Sequence, residues 1–225
     1  MNHSVAKDAV VALYERHAQA YDRDRGRSLQ ERSWLDRFLG HLRPGGVVLD
    51  VGCGVGEPMA RYLLERGMHV VGVDGSPSMI ERCRARFPES EWIVADMREL
   101  ALDRRFDGIL AWDSFFHLDR DDQRRMFHRF AAHAAPGAPL LFTSGSAEGE
   151  SIGSYRGEPL YHASLDAAEY ERLLRDNGFE VEAYVADDAA CGHHTVWLAT
   201  CTRTPIPAGP TTAPTSNLLE STDTR

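Results

Sequence analysis

Residues 47–56 read VVLDVGCGVG, and this stretch decides the fold. Val47–Val51 is apolar apart from one carboxylate and rich in valine, which is typical of a buried strand in a parallel sheet. Gly52, Gly54 and Gly56 follow at alternate positions, where the absence of Cβ atoms permits a sharp turn and a close approach of ligand to backbone. The stretch therefore predicts a strand that ends in a ligand-binding loop.

The rest of the chain alternates between strand and helix patterns. A capping box at Ser28–Glu31 predicts the start of a helix before the first strand. Further strands are predicted at His69–Val73, Trp92–Ala95, Asp107–Trp112 and Leu140–Thr143. Helices are predicted from about Glu57 to Arg66, from the Ser76–Pro77 cap to about Phe87, and from the Asp119 cap to about Ala134. This alternation indicates an α/β fold with a doubly wound parallel sheet, whose ligands bind at the carboxyl ends of the strands.

Composition excludes several functional classes. The chain has 225 residues, 43% of them hydrophobic, which is enough for one large domain or two small ones. Its 34 acidic and 25 basic residues give a formal charge of −9, which disfavours binding to nucleic acid or an anionic membrane. Apolar runs extend over only a few residues, whereas a spanning helix needs about 20. We therefore expect a small-molecule substrate, with no nucleic acid or membrane partner.

The ends of the chain and its cysteines favour a cytoplasmic protein. Residues 1–8 (MNHSVAKD) lack the basic start and apolar core of a secretory signal. The four cysteines are far apart and lack the spacing of a zinc site or a disulfide framework. Residues 202–225 contain four prolines among many threonines, and this composition predicts a disordered tail.

The glycine loop differs from a dinucleotide-binding loop. Its spacing is Gly-x-Gly-x-Gly rather than Gly-x-Gly-x-x-Gly, and Asp50 precedes the first glycine by two residues. A carboxylate at this point would repel a pyrophosphate and attract an ammonium group. The loop therefore favours a cationic ligand.

Two further carboxylates follow the next two strands. Asp74 lies 18 residues beyond Gly56, where an acidic residue can accept both hydroxyls of a ribose. Asp96 ends the third strand, where it could accept from an adenine amine, and Met79 and Met97 offer polarizable surface to the ring. Each residue alone could be a helix cap, a turn residue or core filling, but together they indicate a nucleoside site.

These features resemble the class I S-adenosylmethionine-dependent methyltransferases. The resemblance rests on Asp50–Gly56, Asp74, Asp96 and Phe106–Ile109, and it extends over about residues 10–200. It implies a Rossmann-like, doubly wound seven-stranded sheet with helices on both faces. In that arrangement Phe179–Val185 and Thr195–Thr200 form a final hairpin whose last strand is antiparallel. The implied organisation is an N-terminal lid helix region at 1–30, a methyltransferase domain at 31–201 and the tail at 202–225.

The resemblance also implies contacts to the cofactor, S-adenosyl-L-methionine. Asp50 would lie near its amino group and the three glycines against its methionine part, while Asp74 would hold the ribose and Asp96 the adenine amine. Tyr14 and Tyr21 resemble the lid helix that closes over the cofactor. The predicted cofactor-binding residues are Asp50, Gly52, Cys53, Gly54, Gly56, Asp74, Gly75, Met79, Asp96, Met97, Trp112, Tyr14 and Tyr21.

The methyl acceptor should bind beyond the fourth and fifth strands. Trp112–His117 leaves the fourth strand at that point, and His117, with an ordinary pKa near 6.5, is the candidate base. Asp113 could orient His117 or pair with a substrate amine. The alternative is that His117 only packs or caps, and that proximity of the two substrates is sufficient for catalysis.

Two other segments reach the same edge of the sheet. Ser151–Ser164 could form a pocket wall or a plain connecting loop, and the turn Asp187–His194 faces the ligand side, with at most one of its two adjacent histidines directed inward. The predicted substrate-binding residues are Phe116, Tyr155, Arg156, Tyr161, His162 and His193. A metal held by His162, a neighbouring histidine and Asp187 is conceivable, but nothing in the spacing requires one, so none is predicted. The arginines of Arg23–Arg27 alternate with acidic residues and are expected to be solvated.

The sequence thus predicts a methyltransferase that acts on a small molecule, with O-, N- and C-methylation all open. No Asn-Pro-Pro-Tyr sequence follows the fourth strand, and its absence disfavours amino groups of nucleic acid bases and of glutamine as acceptors. The alternatives are a cyclase or lyase that uses the same cofactor, an NAD(P)-dependent oxidoreductase, and a noncatalytic binding module. The protein is expected to be a monomer or a homodimer.

Overall fold

A computed structural model describes residues 6, 7 and 9–203 of the chain. The predicted disordered tail lies outside the described residues from position 204 onward. Its first two residues pack on the domain, since Thr202 N donates to the carbonyl of Gly178 and Arg203 donates to the carbonyl of Ala131.

Helices and strands alternate through most of the described chain. The helices are α1 (Val10–Asp24), α2 (Arg32–Leu39), α3 (Met59–Glu65), α4 (Pro77–Arg86), α5 (Arg120–His133) and α6 (Ala167–Asp176). The strands are β1 (Val47–Val51), β2 (His69–Asp74), β3 (Glu91–Val94), β4 (Gly108–Ala111), β5 (Pro139–Ser144), β6 (Gly149–Tyr155), β7 (Glu158–Ser164), β8 (Phe179–Asp188) and β9 (His194–Cys201). Short 3₁₀ turns follow β3, β4 and β8.

Seven of the strands form one sheet in the order β3-β2-β1-β4-β5-β9-β8. The pairings from β3 to β5 are parallel, whereas β9 pairs antiparallel with both β5 and β8. The strand order reverses between β1 and β4, which is where a doubly wound sheet opens a crevice for ligands. The predicted fold class, including the antiparallel last strand, is confirmed.

Apolar residues on both faces of the sheet fix the helices in place. Leu49, Val51 and Ile109 face one side, where they join the core formed with Phe127 and Phe130 of α5. The alternate residues Val48 and Leu110 belong to a second core on the other face, with Trp34, Phe38 and Leu63 of α2 and α3. Burial on both faces is the reason for the continuous apolar strands seen in the sequence.

Several predicted helix starts are confirmed and one is wrong. Ser76 and Asp119 cap α4 and α5, since their side chains accept from the amides of Met79 and Asp122. The predicted capping box at Ser28–Glu31 does not form, because Leu29 has φ +52° and α2 begins at Arg32. The Glu31 carboxylate is instead buried and paired with Arg25 at 3.0 Å.

The segment after β5 was predicted as a pocket wall or a loop, and it is a β-hairpin. β6 and β7 pair antiparallel from Gly149–Ser164 to Tyr155–Glu158 and form a sheet of their own. Leu160 and Tyr161 of β7 form a buried cluster with Val10 and Leu13 of α1. The hairpin therefore supports α1 over the carboxyl ends of the large sheet. Within the described chain, no helix is both long and apolar enough to cross a membrane.

Candidate active site

A cavity of about 380 Å³ lies at the carboxyl ends of β1, β2, β3 and β4, and α1 covers it. Its volume is in the range of small-molecule sites. Nine of the predicted cofactor-binding residues line it: Tyr14, Tyr21, Gly52, Gly54, Asp74, Gly75, Met79, Asp96 and Met97. The structure thus brings together residues from the lid and from three separate strand ends.

The glycine loop turns tightly at the floor of this cavity. Gly52 has φ +76°, and its amide donates to the carbonyl of Val73 on β2. A Cβ at Gly52 would lie 2.3 Å from Cβ of Ser114, so no other residue fits without a shift of the backbone. Ser114 in turn donates to the carbonyl of Val51 at 2.7 Å, which ties the loop after β4 to the end of β1.

Asp50 lies beneath the glycine loop and is only 3% exposed. Its Oδ2 has no hydrogen-bond partner among the described residues. Burial, with a smaller contribution from Asp74, raises the pKa of Asp50 to about 7. A buried carboxylate oxygen without a partner is costly unless a ligand satisfies it, and a ligand ammonium is the group that fits.

Asp74 and Asp96 lie at the ends of β2 and β3, where the sequence predicted them. Asp74 accepts from the amides of Gly54 at 2.9 Å and Ser76 at 2.8 Å, and burial raises its pKa. Asp96 is more exposed and pairs with Arg98 at 2.6 Å. Partial burial opposes ionisation of Asp96, but this pairing keeps its pKa below the ordinary value.

Two sets of contacts hold the lid helix α1 on the domain. Near its middle, Glu15 accepts from Ser78 N at 2.9 Å, Ser78 Oγ at 2.6 Å and Ser76 Oγ at 2.5 Å at the start of α4. Near its end, Asp22 pairs with Arg86 at 2.8 Å. These contacts hold the ring of Tyr21 over the glycine loop, 3.4 Å from the position of a Cβ on Gly54.

Four predicted cofactor-binding residues do not line the cavity. Asp50 lies below it, Cys53 is buried beside Cys83, and Gly56 faces the ring of Phe87. Trp112 is 4% exposed and packs against His194, in the core that also contains Trp34 and Phe38. Its predicted contact with the cofactor is therefore not supported by its position.

His117 lies at the cavity but has no unoccupied nitrogen. Its Nδ1 donates to the carbonyl of Tyr161 at 2.8 Å, and its Nε2 lies 3.2 Å from the hydroxyl of Tyr14. Burial lowers the pKa of His117 to about 4. Asp113 was expected to orient this imidazole, but the backbone carbonyl of Tyr161 does so instead.

Asp113 forms an ion pair with His194, the first residue of β9. Its Oδ1 lies 2.9 Å from Nε2 of His194, and Nδ1 of His194 donates to the carbonyl of Cys191 at 2.6 Å. The hydrogen bond to Asp113 raises the pKa of His194 to about 9, so the imidazole is charged at neutral pH. His193, the predicted residue, is largely exposed and pairs with Asp187 at 3.1 Å.

A groove of about 490 Å³ adjoins the cavity and shares Asp113 with it. It runs between the loop after β5, strand β7 and the β8–β9 turn, and Phe116, His162 and His193 line it. Of the other predicted substrate-binding residues, Tyr161 of β7 is buried, and its backbone carbonyl accepts a hydrogen bond from His117. Tyr155 packs against Tyr14 and Tyr21, and Arg156 is exposed and pairs with Asp24 of the lid.

Sequence reasoning missed three residues of the site. Arg25 was expected to be solvated, but its side chain is 18% exposed and pairs with Glu31. Glu15 was not selected because nothing in the sequence marks it, and of the two adjacent histidines near the end of β8 the sequence analysis selected His193 rather than His194. Among the described residues, no group of three or more His, Cys, Asp or Glu side chains could hold a metal ion.

Comparison with known proteins relates the central part of the chain to methyltransferases. Residues 48–137 match the model of a methyltransferase domain family. The chain is 33% identical over 141 residues to malonyl-[acyl-carrier protein] O-methyltransferase of Pseudescherichia vulneris, a match over 62% of this chain and 55% of the relative. It is 34% identical over 152 residues to phosphoethanolamine N-methyltransferase 1 of Arabidopsis thaliana, over 62% of this chain and 30% of the relative. The chain thus matches about half or less of the length of these curated relatives.

Solved structures share the fold over most of the chain. A 1,6-didemethyltoxoflavin-N1-methyltransferase from Burkholderia thailandensis has a TM-score of 0.66 at 22% identity, over 89% of this chain and 88% of that one. An amino pentose methyltransferase from Micromonospora echinaspora has a TM-score of 0.65 at 20% identity, over 83% of this chain and 96% of that one. The architecture is therefore that of the class I methyltransferases.

Proposed function

We propose that this chain is an S-adenosylmethionine-dependent methyltransferase that acts on a small molecule, since residues 48–137 match the model of a methyltransferase domain family. The observation that carries the proposal is the buried Asp50, whose Oδ2 lacks a partner beneath a glycine loop at the edge of the cavity. A carboxylate in this position suits a ligand with an ammonium group and is unsuited to the pyrophosphate of a dinucleotide.

The other residues of the cavity fit the remaining parts of the same ligand. Asp74 would hold the ribose hydroxyls, since its carboxylate oxygens have acceptor capacity beyond the two amides that they bind. Asp96 would accept from the adenine amine, with Met79 and Met97 flanking the ring. Gly52 and Gly54 leave room for the methionine part.

When bound, the cofactor supplies a methyl group on a positively charged sulfur, which is a good leaving group. The task of the protein is then to align the acceptor, exclude water and provide a route for one proton. Tyr14 and Tyr21 of the lid helix pack against each other and cover the cavity, and the hydroxyl of Tyr14 is hydrogen-bonded to Nε2 of His117. Asp113, shared by the cavity and the groove, is the residue best placed to contact the acceptor.

The groove is proposed as the acceptor site. The covered cavity has about the volume that a nucleoside-sized ligand fills, so a second substrate must bind beside it. The groove adjoins it at Asp113 and is open at its outer end. Phe116 and His162, whose rings are 5.5 Å apart, would form one wall.

We also propose a cytoplasmic location and a monomeric or homodimeric state. The four cysteines, all free and buried, are compatible with a reducing compartment. The formal charge of −9 disfavours a nucleic acid partner. The division into a lid region at 1–30, a domain at 31–201 and a tail at 202–225 is proposed from the resemblance of the sequence to methyltransferases.

Calorimetric titration of the purified protein tests the proposal. S-adenosylmethionine and S-adenosylhomocysteine should bind, whereas NADH should not. Release of S-adenosylhomocysteine during turnover would separate methyl transfer from cyclisation or elimination by the same cofactor. Binding of NADH without binding of either sulfur nucleoside would refute the assignment.

A further inference from the structure

The junction between cavity and groove is built around a constrained Asp113. This residue has φ +48°, a conformation that side chains other than glycine adopt infrequently. Its amide donates to Thr143 Oγ1 at 2.9 Å, and its Oδ1 is held by His194. Backbone strain of this kind persists where surrounding contacts fix it, often at functional sites.

The second oxygen of this carboxylate accepts no hydrogen bond from any described residue. Asp113 Oδ2 has one cation near it, Arg25 Nη2 at 3.9 Å, and that guanidinium binds Glu31 at 3.0 Å. The side chain is 27% exposed and lines both the cavity and the groove. It is therefore an acceptor for a hydrogen-bond donor or a positive charge.

The charges around the junction disfavour an anionic acceptor. Among the described residues, the cavity is lined by five carboxylates and two cations. Both cations are paired with those carboxylates, Lys7 with Asp119 at 2.6 Å and Arg98 with Asp96. A carboxylate, phosphate or phenolate that entered here would find no cation that is not already neutralised.

The imidazoles of the junction disfavour a hydroxyl acceptor as well. An alcohol must lose its proton as the bond to the methyl carbon forms, so it needs a base. Both nitrogens of His117 are already hydrogen-bonded. Burial lowers the pKa of both His117 and His162, so each imidazole is a weaker base than an ordinary histidine. A neutral amine is a sufficient nucleophile without losing a proton and gives a stable ammonium product, so it needs no base in that step.

We propose that the methyl acceptor is an amine, held beside the cofactor cavity by a hydrogen bond from its nitrogen to Asp113 Oδ2. This inference rests on the proposed function and specifies the substrate class of the same site. The neutral amine forms the new nitrogen–carbon bond while the carbon–sulfur bond breaks, and the electron pair of that bond stays on sulfur. The positive charge thus moves from sulfur to nitrogen, beside a carboxylate that stabilises it. The methylated ammonium then gives one proton to solvent through the open groove.

Sinefungin is the probe for this inference, because it carries an amine where S-adenosylmethionine carries its methyl group. Its affinity should be compared with that of S-adenosylhomocysteine by calorimetry at pH 7. We expect sinefungin to bind the wild type about tenfold more tightly. Asp113→Asn, which tolerates the left-handed backbone, should bring the two affinities close to parity.

Asp187→Asn is the matched control. Asp187 also has a left-handed backbone, φ +50°, and pairs with a histidine of the same turn, but it is 65% exposed and does not line the cavity. This variant should retain the preference for sinefungin. The ratio of affinities for S-adenosylmethionine and S-adenosylhomocysteine should be the same in all three proteins.

Two results would overturn the inference while leaving the proposed function intact. One is a sinefungin preference that is absent from the wild type or unaffected by Asp113→Asn. The other is an equal loss of affinity for sinefungin and S-adenosylmethionine in Asp113→Asn, because the carboxylate would then serve the sulfonium rather than the acceptor. Absence of binding by all three nucleosides would instead refute the proposed function.

Discussion

The hydroxyl of Tyr14 lies 3.2 Å from Nε2 of His117 and joins the lid helix to the loop after β4. Because Nδ1 of His117 donates to the carbonyl of Tyr161, Nε2 is the nitrogen that accepts from Tyr14 in the neutral imidazole. His117 therefore connects the lid, the loop and the hairpin. We propose that His117 serves this connecting role, which is the alternative to the general base that its position in the sequence also suggested.

The buried state of His117 has a consequence for stability at low pH. Its pKa of about 4 in the folded protein lies below about 6.5, the value expected for the unfolded chain, so the unfolded state binds the proton more readily between these values. His117 should thus remove roughly 3 kcal/mol from the free energy of unfolding as the pH falls from 7 to 4. Urea unfolding of the wild type and of His117→Gln at both pH values measures this. Equal pH dependence in the two proteins would show that His117 does not contribute.

Asp50 should have the opposite pH dependence. Its folded pKa of about 7 lies above the ordinary value of 3.8, so the folded state binds the proton more readily between these values. The wild type should therefore lose up to about 4 kcal/mol of stability relative to Asp50→Asn as the pH rises from 4 to 8. Saturating S-adenosylhomocysteine should reduce this difference, because its ammonium pairs with the carboxylate. Parallel stability curves for the two ligand-free proteins would contradict the burial of an ionisable Asp50.

Asp74 should contribute directly to cofactor affinity. Asp74→Asn removes one carboxylate oxygen from the ribose site, and the cost of unpaired polar groups in a closed site is about 1–3 kcal/mol. S-adenosylhomocysteine should consequently bind roughly 10 to 100 times more weakly in calorimetry. Asp107→Asn is the control. Asp107 also accepts from a backbone amide, that of Val47, but it lies at the amino-terminal ends of β1 and β4, away from the cavity. Equal affinities for the wild type and Asp74→Asn would remove Asp74 from the site.

Glu15 should control how often the lid opens. Its carboxylate accepts three hydrogen bonds from Ser76 and Ser78, and these bonds lower its pKa. Glu15→Gln weakens these charge-assisted bonds, so trypsin should cleave faster within α1, which contains Arg16 and Arg23, and S-adenosylhomocysteine should dissociate faster. Glu182→Gln is the control: it removes a carboxylate of β8 that pairs with His41, and it should leave both rates unchanged. Identical cleavage of wild type and Glu15→Gln would show that this contact does not hold the lid.

The cofactor half of the site could be predicted from the sequence because strand ends fix its residues. Val47–Val51 has an apolar pattern that only a buried parallel strand explains, and Asp74 and Asp96 then follow at the same edge of the sheet. The hairpin β6–β7 was harder to predict from the sequence, since most of β6 is exposed and its residues, GESIGSY, have the composition of a loop.

The acceptor half depends on backbone conformations that the sequence does not reveal. His193 has φ +65°, and the β8–β9 pairing shifts register between Val185 and Asp188, so simple alternation cannot decide which histidine is directed inward. The left-handed Asp113 similarly turns its side chain toward His194 rather than toward His117. These local irregularities separate the predicted catalytic pair.

A crystal structure of the chain with S-adenosylhomocysteine tests the central claim most directly. We predict that the nucleoside occupies the covered cavity with its ammonium nitrogen within hydrogen-bonding distance of Asp50 Oδ2 and its ribose hydroxyls on Asp74. A nucleoside bound elsewhere, or one whose ammonium lies away from Asp50, would contradict it.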